Sequence, residues 1–206
     1  MAILSQRGAA PAARLPRRLA AAVAWLAAVL PWLAAAAAPL RGAPPPPPHP
    51  LEYEVKAAFL FNFAKFVEWP PESFNDRDSL AICIFGEDPF GGSLESTVAG
   101  EKIGGRQLRV RQVERPGELR SCQIAFIGRS ERERVPEVLA ALRGANVLTV
   151  GEPDRFAEQG GMVRFFLEAN RVRFEINLDA VERTRLQVSS KLLRVARVVR
   201  PEGRGH

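Results

Sequence analysis

Few residues in this chain could do chemistry. Its only histidines are His49, inside a proline run, and His206, the last residue. The stretch between them offers no imidazole for a Ser-His or Cys-His nucleophile and none for a His-based zinc site. The only cysteines are Cys83 and Cys122. In an exported chain an isolated pair reads as one disulfide; two separate buried thiols are the alternative. A bridge would close a loop of about 40 residues, worth roughly 3–4 kcal/mol. Bridged cysteines supply neither nucleophile nor ligand. The sequence therefore assigns no catalytic residue, no metal ligand and no cofactor.

Carboxylates remain. Glu87 and Asp88 follow Gly86, and Glu152 and Asp154 follow Gly151. Ligands of an α/β sheet sit beyond the carboxyl ends of its strands, so a hydrolase using Asp88 or Asp154 is one reading. Turn formation and helix capping explain the same residues fully. Gly86, Glu87, Asp88 and Gly91 form a candidate ligand loop, since a helix start there would favour an anion. The loop is not G-x-G-x-x-G and lacks a P-loop lysine; a plain turn is the simpler reading.

These residues need elements to position them. Leu51 to Trp69 reads as a helix, with Val55, Phe59, Leu60, Phe63, Phe66 and Val67 on one arc; Pro70 and Pro71 end it. Phe61 falls about 240° around from Val55, beside Lys65 and Glu68. An aromatic on a charged face is a candidate contact for a partner or a second copy, unless a neighbouring element covers it. Leu80–Phe85, Ile124–Ile127 and Val147–Val150 are short apolar runs, as in strands buried on both faces. Leu108–Val113 alternates like a strand. Glu131–Leu142 reads as an amphipathic helix. Met162–Leu167 and Arg171–Ile176 read as a hairpin around Ala169-Asn170. Gly160-Gly161 before it reads as a tight turn requiring positive φ. Val188–Val199 reads as a last helix capped by Ser189 or Ser190, with Arg194, Arg197 and Arg200 on a solvated stripe. The expected fold is α/β: a mostly parallel open sheet flanked by helices on both faces, loosely Rossmann-like, with a C-terminal antiparallel hairpin.

The formal charge is +6, but Arg7, Arg14, Arg17, Arg18 and Arg41 all precede the first acid, Glu52; without those five the rest carries +1. A near-neutral body has no electrostatic reason to bind nucleic acid. The basic start, the apolar run Leu19–Ala38 and the small residues at its end read as a signal peptide over residues 1–38. An uncleaved anchor is the alternative. Residues 39–50 form a proline-rich linker, residues 51–200 the folded body, and residues 201–206 a loose tail. The expected location is the periplasm.

The segments Y-E-V-K-A-A-F-L-F-N-F-A-K-F-V-E-W-P (53–70), I-C-I-F-G-E-D-P-F-G (82–91), C-Q-I-A-F-I-G (122–128), F-A-E-Q-G-G-M-V-R-F (156–165), R-V-R-F-E-I-N-L (171–178) and S-S-K-L-L-R-V-A-R-V-V (189–199) resemble YfiR-like periplasmic proteins, in order and over nearly all of the body. The resemblance implies a regulator without catalytic activity. Its partner would be the periplasmic part of an inner-membrane diguanylate cyclase, with lower cyclic di-GMP as the outcome and consequences for biofilm. It also implies a homodimer, and association with the membrane only through the partner. Cys83 and Cys122 match a cysteine pair of that family. A second pair found in some members is missing, since Ala157 and Arg164 stand in that region. A competing reading is a small-molecule sensor serving another receptor, such as a histidine kinase.

Overall fold

The computed structural model describes residues 50–74 and 78–200. The expected signal peptide, most of the linker and the tail lie outside the described residues. The chain forms α1 (Pro50–Phe66), β1 (Val67–Glu68), β2 (Ser79–Phe85), α2 (Ser93–Val98), β3 (Lys102–Ile103), β4 (Arg106–Val113), β5 (Ile124–Ile127), α3 (Val135–Ala141), β6 (Leu148–Gly151), β7 (Val163–Glu168), β8 (Arg171–Asn177), α4 (Leu178–Glu182), β9 (Gln187–Val188), α5 (Ser190–Leu193) and β10 (Arg197–Val199). Eight strands form one sheet in the order β10-β8-β7-β6-β5-β2-β4-β3, and β1 pairs with β9 separately.

The middle of the sheet is parallel: β4, β2, β5, β6 and β7 run the same way. Their apolar runs explain why. Along β2, Leu80, Ile82 and Ile84 enter one core, and Ala81, Cys83 and Phe85 the other. Such a strand is solvated on neither face, which suits the interior of a doubly covered sheet. α1 and α2 lie over the first core; α3 and the 3-10 segment Pro116–Ser121 lie over the second. The chain leaves β2 for β4, then crosses back to β5 on the other side of β2. This reversal is the switch point of a doubly wound sheet. The expected mixed α/β architecture is present, including the β7–β8 antiparallel pair. That hairpin turns on Ala169 (φ 48°) and Asn170 (φ 60°), both left-handed as a two-residue type I′ loop requires.

Three elements differ from the expectation. Val188–Val199 is not one helix: it divides into the end of β9, the short α5 and the strand β10. Ser189 accepts from Lys191 N at 3.3 Å and starts α5. The rest becomes strand because Arg197–Val199 covers the open edge of β8 over Glu175–Asn177, and the β-branched Val198 and Val199 suit an edge. Within this segment Leu192 is buried while Val195 and Val198 are exposed. Second, Arg129–Arg134 is 3-10, and the α-helix starts only at Val135, next to Pro136. Third, the buried stripe of α1 is Tyr53, Lys56, Ala57, Leu60, Phe63 and Ala64, continued by Val67; Val55 is exposed.

The two glycines before β7 have different work. Gly160 has φ 105° and makes the turn. Gly161 leaves room for a ring: a Cβ there would lie 2.1 Å from the Phe156 ring, which is fully buried. Gly161→Ala should therefore cost about 1–3 kcal/mol through overpacking. A urea titration giving an unchanged midpoint would refute that close approach.

Candidate functional site

α1 crosses the sheet with its amino end near the carboxyl end of β6, and this brings four charged groups together. Lys56 is 1% exposed. Its Nζ donates to Glu52 Oε1, one turn back on α1, and to Glu152 Oε1, just after β6. The ammonium lies 4.5 Å from the Tyr53 ring centre, and the Tyr53 hydroxyl donates to Glu152 Oε2 at 3.2 Å. Arg129, just after β5, donates from Nη2 to Glu52 Oε1 at 3.3 Å. Two cations face two carboxylates, so the cluster balances its own charge. Balance is what burial demands, because an unpaired ion in a dry interior costs several kcal/mol.

Tyr53 reports on this cluster. Burial first, and the negative charge of Glu152 next, hold its phenol well above the ordinary tyrosine range. A raised acid pKa means the folded state keeps its proton longer than the unfolded chain does. The associated stability is complete below the unfolded pKa, about 10, and is lost as pH rises above it. Tyr53 is the chain's single tyrosine, so tyrosinate absorbance reads it alone. At about pH 11 the native protein should show little tyrosinate, and full absorbance should appear on adding denaturant. Ionisation of the native protein near pH 10 would show that the hydroxyl is not buried against Glu152.

The structure places the remaining sequence candidates as follows. Cys83 and Cys122 are joined Sγ to Sγ, and both residues are buried. In the loop after β2, Asp88 Oδ1 accepts from Phe90 N at 2.8 Å, and Gly86 O accepts from Gln112 Nε2 at 2.9 Å. Gly86 and Gly91 have φ 88° and 56°. Glu87 is exposed. These are the bonds of a turn. Close beside it, a Cβ on Gly86 would lie 2.4 Å from Glu131 Oε1, and the Arg134 guanidinium sits 4.5 Å over the Phe85 ring. Asp154 is exposed and pairs with Arg164 at 3.1 Å. Phe61 is half-buried and packs against the core, with Lys65 Nζ 5.1 Å from its ring centre. Glu68 belongs to β1, opposite Gln187. Phe61, Lys65 and Glu68 line neither of the hollows described next.

Two hollows adjoin the buried cluster. A cleft of about 710 Å³ opens beyond β6, lined by Arg129, Arg132, Glu152, Asp154, Arg164 and Phe166 among others. A groove of about 790 Å³ runs between α1 and the β7–β8 hairpin, lined by Leu51, Val55, Phe59, Leu167 and Val172 with Glu54 and Arg171 at its margin. Leu167 lines both. Leu51, Val55 and Leu167 are large apolar residues left exposed, a grouping typical of an interaction surface. Sequence reasoning missed both hollows and the buried Lys56. The available signal was the spacing Tyr53, Lys56, Ala57, Leu60, Phe63, Ala64, Val67, a cleaner helical stripe than the one built on Val55.

A doubly wound sheet covered on both faces, with a self-neutralised cluster at the carboxyl end of its strands, defines a three-layer α/β sandwich domain. The sequence model of the YfiR/HmsC-like family matches residues 53–197. The chain belongs to that family, which is associated with periplasmic regulation of diguanylate cyclases.

Proposed function

We propose that this protein is a non-catalytic periplasmic regulator that binds the periplasmic part of an inner-membrane diguanylate cyclase and represses it. The family match carries the reading. The apolar groove between α1 and the β7–β8 hairpin supports it by offering a surface for that partner. Repression of this kind requires tighter binding to the inactive than to the active state of the cyclase. Deletion of the gene should raise cellular cyclic di-GMP, and Val55→Glu with Leu167→Glu should abolish co-purification of the cyclase without unfolding the protein. Unchanged cyclic di-GMP on deletion refutes repression. Undiminished co-purification by the double variant places the contact on another surface.

The cleft beyond β6 favours a second reading, a small-molecule sensor serving another membrane receptor such as a histidine kinase. Its cations and its Phe166 ring suit a compact charged ligand. Such a ligand would raise the melting temperature. A metabolite screen without any thermal shift counts against this reading.

A further inference from the structure

Many exposed arginines of the body face a carboxylate; Arg115, Arg155 and Arg200 are examples. Seven exposed ones, Arg109, Arg111, Arg120, Arg143, Arg171, Arg183 and Arg194, form no ion pair among the described residues, and the first four of these cluster. Strand spacing and hydrogen bonds make these four neighbours. Arg109 and Arg111 are two apart on β4 and share the strand face of Val113, whose side chain belongs to the second core. Arg111 Nη1 donates to Ser121 Oγ at 3.3 Å. Arg120 Nη1 donates to the carbonyls of Ala141 at 2.7 Å and Arg143 at 3.3 Å. The four thus span β4, the 3-10 segment ending at Ser121 and the end of α3, on the side of the sheet that holds the Cys83–Cys122 bridge. The acids nearest in sequence are Glu114 and Glu118, beyond the end of β4, and Glu137 on α3; Glu118 is engaged by Arg115 at 2.8 Å and Glu137 by Arg134 at 3.2 Å.

Three observations define what this face fits. It carries concentrated positive charge without internal compensation. None of the four arginines lines the cleft, the groove or the hollow at Gln112–Glu118. None of the exposed large apolar residues belongs to it; those are Leu51, Val55, Leu167, Val195 and Val198. The fully buried centre of a protein interface is more apolar than its rim, and an inserting helix needs an apolar face. A basic face without either suits a broad, planar, anionic surface. We infer that Arg109, Arg111, Arg120 and Arg143 form a docking face for the anionic phospholipid headgroups of a bilayer. The attraction is electrostatic, acts within about a Debye length, and leaves the protein uninserted. The inference is independent of the cyclase reading, and it revises the expectation that the body meets the membrane only through a partner.

The test uses protein purified in the form cells process it to, with vesicles of phosphatidylcholine alone or mixed with phosphatidylglycerol. Whatever residues 1–49 contribute is common to all variants. Wild type should sediment with the anionic vesicles at least about tenfold better than with the neutral ones, and about 0.5 M salt should remove the difference. Replacing all four arginines by glutamine should abolish the preference, since each contributes roughly fivefold near such a surface. A charge-matched control, glutamine at Arg171, Arg183, Lys191 and Arg194, should keep it. Circular dichroism and melting temperature verify that both variants fold. The inference is overturned if wild type does not distinguish the vesicles, if the quadruple variant binds as well as wild type, or if the control loses as much. Unchanged vesicle binding by the quadruple variant, with loss of a co-purifying acidic protein, assigns the face to that protein and also overturns it.

Discussion

Replacing Lys56 by methionine should destabilise the protein by about 3–5 kcal/mol, among the largest effects open to a single substitution in this fold. The methylene stem is kept and the packing volume nearly so. What is lost is the ammonium between Glu52 and Glu152. Glu52 retains Arg129, but the fully buried Glu152 retains only the Tyr53 hydroxyl. For a body of this size the change amounts to a fall in melting temperature of roughly 10 °C. Lys56→Met combined with Glu152→Gln removes the stranded charge and leaves Tyr53 an acceptor. It should recover at least about half of the loss, as buried ion pairs are commonly replaceable as a unit. A single variant melting within about 2 °C of wild type would show that the cluster is hydrated and cheap to break. A double variant no better than the single would show that charge is not what the site balances.

The second large effect belongs to the bridge. Cys83 lies in β2 at the centre of the sheet, and Cys122 just before the adjacent β5, with a sequence separation of 39. Loop closure of that size is worth roughly 3–4 kcal/mol through the unfolded chain. Substituting both cysteines by alanine should cost about that much and lower the melting temperature by roughly 10 °C. Cys83 is 0% and Cys122 2% exposed, so a reductant reaches the sulfurs only through opening of the fold. The native protein should therefore resist mild dithiothreitol that reduces it readily in urea. Rapid reduction in the native state, with a change in partner binding, would instead make this bridge a redox switch.

How much of this was legible in the residues depends on the element. The buried strands announced themselves as short apolar runs, since a strand covered on both faces has no reason to alternate. The β7–β8 hairpin did so through turn chemistry at Ala169-Asn170. The C-terminal segment misled because Leu192, Leu193, Val195 and Ala196 repeat at helical spacing. The competing fact, an open edge on β8 needing a partner, is a property of the assembled sheet and of no local window. Glu152 misled for the same reason. Next to Gly151 and Pro153 it reads as a turn residue, and its partner Lys56 lies 96 residues earlier. Phe61 attracted notice as an aromatic on a charged face, yet the core half covers it; a helical wheel measures angle and not the reach of neighbouring elements. The four arginines of the basic face gave no local signal, because ion pairing too is decided only in three dimensions.

The distance along the chain between Lys56 and its partner on β6 also governs the order of events during synthesis. α1 leaves the ribosome before any strand of the sheet, with its apolar stripe and a cation destined for the interior. The carboxylate that completes it follows 96 residues later, about 5–20 seconds at ordinary elongation rates. Through that interval the helix has no complete sheet to cover and no carboxylate for Lys56 beyond its own Glu52. The nascent polypeptide thus presents a greasy, unfinished segment to whatever escorts it to the place where it folds.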